Sequence, residues 1–428
     1  MTSRLLTPDL RANFRHLYGD IFWFGVLSGS TLAFVAVYAT RLGATGLEIS
    51  LLTAGPAVVN LLVSMPFGRW LEGRPLVRPT FWSAALNRLG YLALIVLPWL
   101  FGGRLQIWAI VLITLVMSVP GTLVAIGFNA LLADVVPPDW RSEVIGRRNA
   151  IMAVSLTVTA LISGQLLVRI VFPINYQIVF AVGAFGAALS TYHLGRLRTA
   201  GQPPAVRIGR PLHDFASPGM LRAGDSTRPS AGLRFLARSK GKPLLRVELL
   251  RGAFGTFLAS YLFFYIFQFT GIPLFPLFQV RVLDLKDSAI SLGSALFYIV
   301  MLLVSLQLSR ISTRYGHRKG LVFGALIFCS YPLLLSLAQN ATLFWVASLV
   351  GGGAWALVSA GLINRLMERV PKDERPAYMA IHNLTLNLGI LTGSLLAPLL
   401  SVTFGLREAL LLTAILRLLA GFLLMLWS

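Results

Sequence analysis

Charged residues are scarce in this sequence. Asp, Glu, Lys and Arg make up 12% of its 428 residues, whereas 56% of the residues are hydrophobic. A typical soluble domain carries about 25% charge, so this composition excludes an ordinary soluble domain. The apolar stretches run for roughly 20 residues at a time, which is the length that a helix needs to cross a bilayer. The sequence therefore predicts an all-α membrane protein surrounded by a lipid bilayer.

Cysteine and histidine are also rare. The single cysteine, Cys329, excludes a disulfide framework, and the five histidines are scattered along the chain. No apolar run carries a nucleophile beside a base, a phosphate-binding loop or a metal cluster. We therefore predict that the chain is not an enzyme and has neither a metal site nor a cofactor.

Twelve apolar runs are long enough to span a membrane. Each is too long for a strand of a membrane barrel and lacks strict alternation, so each predicts a helix. The predicted spans are roughly 17–39, 47–66, 80–100, 106–133, 145–168, 174–195, 247–279, 288–308, 319–338, 341–367, 378–403 and 408–427.

The net charge of +21 comes from Lys and Arg residues that lie between the apolar runs. Because they are not gathered on one face, we do not expect a nucleic-acid partner. Most of them fall on the same side of the membrane as the N-terminus, which is the pattern that orients inner-membrane proteins. We therefore predict an integral protein of a prokaryotic plasma (inner) membrane with both termini in the cytoplasm.

The longest loop divides the spans into two groups of six. We predict a cytoplasmic N-terminal segment at 1–16, a six-helix bundle at 17–195, a basic cytoplasmic linker at 196–246 and a second six-helix bundle at 247–428. The linker is either a solvated segment that helps to set orientation or, from "AGLRFLARSKGKPLLR", a short basic interfacial helix.

One charged loop occurs twice. The segment "VPPDWRSEVIGRRN" (136–149) lies between spans 4 and 5, and "VPKDERPAYMAIHN" (370–383) lies between spans 10 and 11. The two share Val, Pro, Asp, Arg and the final Asn without a gap. A six-helix unit repeated in parallel predicts two halves related by an axis along the membrane normal.

A second pair of loops carries a family resemblance. The segment "GRWLEGRPLVRP" (68–79) follows span 2, and "SRISTRYGHRKG" (309–320) follows span 8. They resemble the Gly/Asp/Arg-Gly-Arg-Arg loop of the major facilitator superfamily and its degenerate second copy. The stretches 38–58 and 278–296 are similar to the loops that precede helices 2 and 8 in that family. The resemblance implies the twelve-helix major facilitator fold and a transporter that works by alternating access.

The sequence departs from the family pattern at several positions. Glu72 replaces the aspartate of the first loop, and Thr313 stands at its place in the second loop. Span 4 has no arginine, and "LISGQLL" (161–167) keeps one glycine of the antiporter motif and no proline. An antiporter therefore has no motif support.

The resemblance also implies a solute site midway across the bilayer, between the two halves. Tyr261, Tyr265 and Gln268 share one face of span 7 by their spacing, and aromatic walls with a few polar groups suit a small-molecule pocket. The alternative for such residues is packing between helices. The predicted cavity residues are Ser28, Thr31, Tyr261, Tyr265, Gln268, Trp355, Ser359 and Asn387.

Charged and titratable groups inside the spans are few. Asp20 and His382 are the candidates for proton coupling, although each also suits a structural role in its helix. Arg88 and Arg417 lie deep in spans 3 and 12, where an arginine must pair, face water or reach the membrane surface. The family resemblance further implies salt bridges that close a cytoplasmic gate, for which the candidates are Glu72, Arg74, Arg78, Asp134, Arg314, Arg318 and Glu368.

These observations predict a monomeric secondary active or facilitative transporter of a small organic solute, with efflux of an amphipathic compound as one form. A proton or another coupling ion is an open alternative to uncoupled transport. One rival function is an organic-anion or sugar-like solute carrier that uses Arg88, Arg251 or Arg417. The other is a membrane sensor or scaffold that has a transporter fold but moves no solute.

Overall fold

The computed structural model describes residues 8–71, 74–137, 140–198, 250, 252–370 and 375–427. Within these ranges the structure is helical and has no strand. Twelve helices there are long and apolar enough to cross a membrane. In chain order they are α1 (Pro8–Arg41), α2 (Gly46–Leu71), α3 (Val77–Leu100), α4 (Gly103–Val135), α5 (Arg141–Arg169), α6 (Ile174–Gly195), α7 (Ala253–Arg281), α8 (Asp287–Tyr315), α9 (His317–Leu337), α10 (Ala341–Arg369), α11 (Arg375–Phe404) and α12 (Leu406–Trp427).

The prediction of an all-α protein with twelve spanning helices is confirmed. Two helices have features that the length of an apolar run does not reveal. Helix α1 begins at Pro8, well before the predicted span, and contains a π-helical turn at Ser28–Leu32. Helix α9 consists of two pieces, His317–Phe328 and Ser330–Leu337, which meet at Cys329. The predicted linker 196–246 lies almost entirely outside the described residues.

The outer surface of the bundle is apolar. Leu62, Leu306 and Val402 expose 69%, 71% and 84% of their area. Large apolar side chains exposed on many helices are costly in water, whereas hydrocarbon accommodates them. The surface is therefore that of a protein embedded in lipid.

Glycines permit close packing inside each half of the bundle. Gly25 and Gly29 of α1 lie against Ser155 and the Leu156 carbonyl of α5, with no space for a side chain. In the second half, Gly389 and Gly393 of α11 lie equally close to α7. Both pairs have the four-residue spacing that brings helix backbones together in membranes. The two halves thus use the same packing device on equivalent helix pairs.

The two halves, α1–α6 and α7–α12, meet where α2 packs on α11 and α5 packs on α8. We call the end at which α1 begins the terminal face and the opposite end the distal face; twelve crossings return the end of α12 to the terminal face. Near the distal face, a Cβ atom at Gly46 of α2 would lie 3.3 Å from the Ser401 hydroxyl of α11. Gly164 of α5 packs even more tightly on Ser291 of α8. The halves are therefore in close contact near the distal face.

Candidate functional site

Two arginines join the halves at the distal face. Arg41, the last residue of α1, donates to the Leu285 carbonyl at 2.6 Å and forms an ion pair with Asp287 at 3.0 Å. Arg281, the last residue of α7, donates to the Ala44 carbonyl in the other half. Each arginine thus ends the first helix of its half and binds the first distal loop of the opposite half. We call these contacts the distal clamp.

An aromatic cluster packs against α1 one turn before the distal clamp. The rings of Tyr38, Tyr176 and Phe180 are buried side by side, and the Tyr38 and Tyr176 centroids are 4.7 Å apart. The Tyr38 hydroxyl accepts a hydrogen bond from Gln106 of α4 at 2.5 Å. Because Tyr38 lies one turn before Arg41, this packing fixes the end of α1 from which Arg41 reaches across.

The predicted cytoplasmic gate residues lie at the terminal face, apart from Glu72, which is outside the described residues. Glu368 bonds Arg365 at 2.7 Å and has the His317 ring 4.0 Å away, so both partners belong to its own half. Arg318 donates to the Met425 carbonyl, again within that half. The remaining candidates are exposed: Arg74, Arg78, Asp134 and Arg314. The guanidinium of Arg74 lies over the Trp70 ring and that of Arg314 over the Tyr315 ring. Their role in gating stays a prediction.

The predicted aromatic face of α7 lies between α10 and α11. The Tyr261 hydroxyl donates to the Leu362 carbonyl of α10 at 2.7 Å. The Tyr265 hydroxyl is 2.9 Å from Nε2 of His382 on α11, and the His382 ring centroid is 5.8 Å from that of each tyrosine. Nδ1 of His382 and Oε1 of Gln268 are buried without a hydrogen-bond partner. The structure thus brings four of the predicted residues together in the interior of the second half.

The other predicted cavity residues are dispersed. Asn387 donates to the Asn383 carbonyl one turn earlier, Ser359 to the Ala356 carbonyl, and Trp355 stacks near Phe328 of α9. In the first half Ser28 and Thr31 fall in the π-helical turn, with their hydroxyl oxygens buried and unpartnered. All of these side chains are buried, so none faces an open cavity in this conformation. Their role in binding stays a prediction.

Asp20 is the centre of a buried polar network in the first half. One carboxylate oxygen pairs with Arg148 of α5 at 3.2 Å, and the other accepts from the Ser190 hydroxyl of α6 at 2.6 Å. Arg88 of α3 donates to the same Ser190 hydroxyl at 2.8 Å and also binds Thr191. The network ties four helices together and holds two guanidinium groups around one carboxylate.

Arg417 of α12 is held by α7 and by aromatic rings. Its Nη2 donates to the Gln268 carbonyl at 2.9 Å, and its guanidinium lies 4.7 Å above the Phe328 ring. Its side chain is 1% exposed, and its Nη1 has no hydrogen-bond partner. Arg417 therefore anchors α12 to the middle of α7 from the side of the bundle.

Sequence reasoning did not select Arg41, Arg281, Asp287 or Arg148. For the clamp a signal existed, because both arginines end the first helix of a half within the two stretches that resemble the family loops. Arg148 was overlooked because it lies just inside a span next to a basic loop. Its burial, at 4% exposed, depends on neighbours from α1 and α4.

Comparison with known proteins agrees with this architecture. Residues 257–428 match the family model described as Major Facilitator Superfamily, and no curated protein matches the chain by sequence. A bacterial homologue of the iron transporter ferroportin, in an inward-facing state, superposes with a TM-score of 0.73 at 13% identity over 98% of this chain and 99% of that one. The nucleoside transporter NupG gives 0.70 at 11% over 97% and 98%.

The xylose transporter XylE from E. coli, in a partially occluded inward open conformation, gives a TM-score of 0.65 at 12% identity over 97% of both chains. At such identities the likeness shows the fold and says nothing about the solute. The second half of the chain therefore matches the Major Facilitator Superfamily model, and the whole chain shares the fold of these solved transporters.

Proposed function

We propose that this protein carries a small organic solute across the membrane by alternating access, with its terminal face in the cytoplasm of a prokaryotic cell. The distal clamp is the observation that carries the proposal. Its contacts join the two halves, so the distal face opens only when they break.

The strength of the clamp suits a gate. Exposed ion pairs contribute about 0–1 kcal/mol each, and hydrogen bonds about 0.5–1.5 kcal/mol. Two conformations that differ by only a few kcal/mol are both populated, and a solute shifts the balance by its differential affinity. Arg41 keeps about a quarter of its side chain exposed, so water is available to replace the contact when it opens.

The proposed solute is amphipathic, because the polar atoms near the middle of the second half belong to tyrosine, histidine and amide side chains. His382 and Gln268 there have buried polar atoms without partners. Solved structures with this fold include a nucleoside transporter, a bacterial homologue of an iron transporter and a xylose transporter, so the fold supports no choice among solutes. Arg88 and Arg417 are held inside their own bundles, which supports a structural role over recognition of an anion.

Uncoupled transport is the form that the described residues support best. Asp20 is engaged by Arg148 and Ser190, and a carboxylate that cycles protons would have to break this buried ion pair in each turnover. The other buried carboxylates, Glu48 and Asp287, lie at the distal ends of α2 and α8 and hold those ends in place.

The test combines solute flux with a report on the distal face. Purified protein is first screened against a panel of amphipathic metabolites by thermal stabilisation, since a bound solute raises the melting point by mass action. Compounds that stabilise it are then tested for flux into proteoliposomes. If stabilising compounds never cross the membrane faster than in empty liposomes, the protein is not their transporter.

The clamp is tested separately by thiol labelling. With Cys329→Ala as background, Ser291→Cys places a thiol at the buried contact between α5 and α8 near the distal face. We expect Arg41→Gln together with Arg281→Gln to increase its labelling by an impermeant maleimide at least about tenfold, which corresponds to about 1.4 kcal/mol. Arg104→Gln is the matched control, because Arg104 pairs with Glu48 at the same face but within one half. Equal labelling of the Ser291→Cys protein, its Arg41→Gln/Arg281→Gln variant and its Arg104→Gln variant would show that the clamp does not hold the distal face closed.

A further inference from the structure

A pair of histidines joins α1 to α6 at the terminal face. Nδ1 of His16 lies 3.0 Å from Nδ1 of His193, and the ring centroids are 5.3 Å apart. Both side chains are half-buried. Gly19, one turn after His16, makes room for the partner, because a Cβ there would lie 2.7 Å from the His193 ring. The contact is therefore built into the packing of the two helices.

The geometry restricts how many protons the pair can hold. A neutral imidazole has one N–H and one bare nitrogen, so a contact between two Nδ1 atoms needs a donor on one ring and an acceptor on the other. One added proton is compatible with a hydrogen bond, because the protonated ring donates from Nδ1 and the neutral ring accepts at Nδ1 in its Nε2–H tautomer. Two added protons make both Nδ1 atoms donors, and the contact then becomes a repulsion between two cations.

The surroundings add further positive charge. Arg15 precedes His16 on α1, and Arg196 and Arg198 follow His193, all three close enough to act on His16. The Asp20 carboxylate acts on His193, but its oxygens already bind Arg148 and Ser190. The charged and titratable groups that act on or contact the pair are Arg15 and Asp20 of α1, Tyr192 of α6, and Arg196 and Arg198 of the segment after α6. Arg88 of α3 and Arg148 of α5 belong to the polar network around Asp20.

We propose that the His16–His193 pair is an acid-sensitive clasp that holds α1 against α6 at the terminal face and releases it when both imidazoles are protonated. Histidine is the side chain whose charge normally changes between about pH 5 and pH 8. The folded clasp excludes the second added proton, whereas two separated histidines take up both. Folding therefore binds fewer protons, so the clasp stabilises the protein at neutral pH and this contribution is lost as the pH falls.

The start of α1 at the terminal face is also held by a contact without a titratable group. The Asn13 side chain donates to the Arg198 carbonyl and accepts from the Arg198 amide, both at 2.9 Å. Release of the clasp therefore loosens the first turns of α1 without detaching the helix. The far end of the same helix carries Arg41 of the distal clamp, so the two contacts lie at opposite ends of one element.

The test is the melting point of the full-length protein in detergent between pH 8 and pH 5. We compare the wild type with His16→Gln, His193→Gln and the double variant. Gln keeps polar atoms but takes up no proton, so the wild type should lose at least about 2 °C more than the double variant over this range. Asn13→Ala is the matched control and should lower the melting point equally at every pH.

Hydrogen exchange locates the effect. After correction for the intrinsic pH dependence, amides in residues 8–19 should exchange faster at pH 5 than at pH 7 in the wild type, with no such difference in the double variant. Identical pH dependence of melting in the wild type and the double variant would overturn the clasp. Both readouts are independent of solute movement, so they stand or fall apart from the proposed transport function.

Discussion

Asp20 and Arg148 form the ion pair most deeply buried among those in the described residues, with side chains 3% and 5% exposed. A buried ion pair adds little net stability over an apolar pair, because desolvating two charges offsets their attraction. Removing one partner is different, since the other charge then remains in a low-dielectric interior without compensation. Loss of either residue should therefore destabilise the fold, because the remaining charge stays buried without its partner.

Arg148→Gln and Asp20→Asn should each destabilise the protein by about 3–5 kcal/mol, and the double variant by less than their sum. The measurement is reversible unfolding in mixed micelles. Arg198→Gln is the control, because Arg198 and Asp9 form an exposed pair that should contribute little. If Arg148→Gln is no more disruptive than Arg198→Gln, the network around Asp20 is not a structural tie.

The sequence located one member of this pair and missed the other. Asp20 was selected because a carboxylate inside an apolar run is conspicuous. Arg148 is the last residue of the basic segment "IGRR", so the sequence alone does not distinguish it from the charges that orient the chain. Its burial comes from the Leu17 carbonyl and the Phe128 ring, which belong to α1 and α4. A contact of this kind depends on how the helices pack, which the hydropathy of one segment does not encode.

At the scale of the helix, some glycines lie against the backbone of a neighbouring helix, whereas others have only side chains nearby. Gly393 of α11 faces the Ile266 carbonyl of α7, with the Thr270 amide nitrogen 3.1 Å from where a Cβ would lie. Backbone atoms cannot rotate away as the end of a side chain can. Gly353 of α10 has only the methyl groups of Val300 and Val304 nearby, at 3.5 and 3.7 Å.

Gly393→Ala and Gly353→Ala should therefore have opposite signs. We expect the first to destabilise the protein by about 1–3 kcal/mol through overpacking, and the second to stabilise it by up to about 1 kcal/mol through helix propensity. Melting points of the two purified variants decide this. A loss of similar size in both would mean that the α7–α11 approach tolerates a methyl group.

Helix number followed from the sequence because membrane thickness sets a minimum length for an apolar run. Interruptions followed only in part. The π-helical turn at Ser28–Leu32 lies in an apolar run without proline, whereas the junction at Cys329 lies three residues before Pro332, which has no amide hydrogen to donate to the Phe328 carbonyl. The π-helical turn is in close contact with both neighbouring helices: its Gly29 packs on α5, and its Ser30 and Thr31 pack on Gly183 of α6. The change from α-helical to π-helical pitch therefore occurs where packing between helices is tight, which the sequence of one segment does not reveal.

At the scale of the whole molecule, the charged residues of the two faces differ in whether they pair between the halves or within one half. At the distal face Arg41 pairs with Asp287 of the opposite half. At the terminal face Glu368 pairs with Arg365 of its own helix and lies near His317 of α9. The doubled loop in the sequence predicted two equivalent halves, but it gave no information on which face is closed. That property depends on the relative placement of the halves, and no single segment contains it.

Alternating access requires the terminal face to close when the distal face opens, which brings the charges of the two halves together there. Glu368 would then exchange its partners for arginines of the first half, such as Arg74 or Arg78. Neutralising it should therefore weaken the closed terminal face and shift the population toward the conformation with the distal face closed. The same argument applies to Asp134 of α4.

We therefore expect Glu368→Gln and Asp134→Asn to reduce distal labelling of a Ser291→Cys thiol in the Cys329→Ala background. A shift of about 1 kcal/mol corresponds to roughly a fivefold decrease in labelling rate. Glu408→Gln is the control, because Glu408 is an exposed carboxylate at the distal start of α12. If Glu368→Gln labels at the rate of this control, or faster, the charges at the terminal face set orientation alone and take no part in the conformational balance.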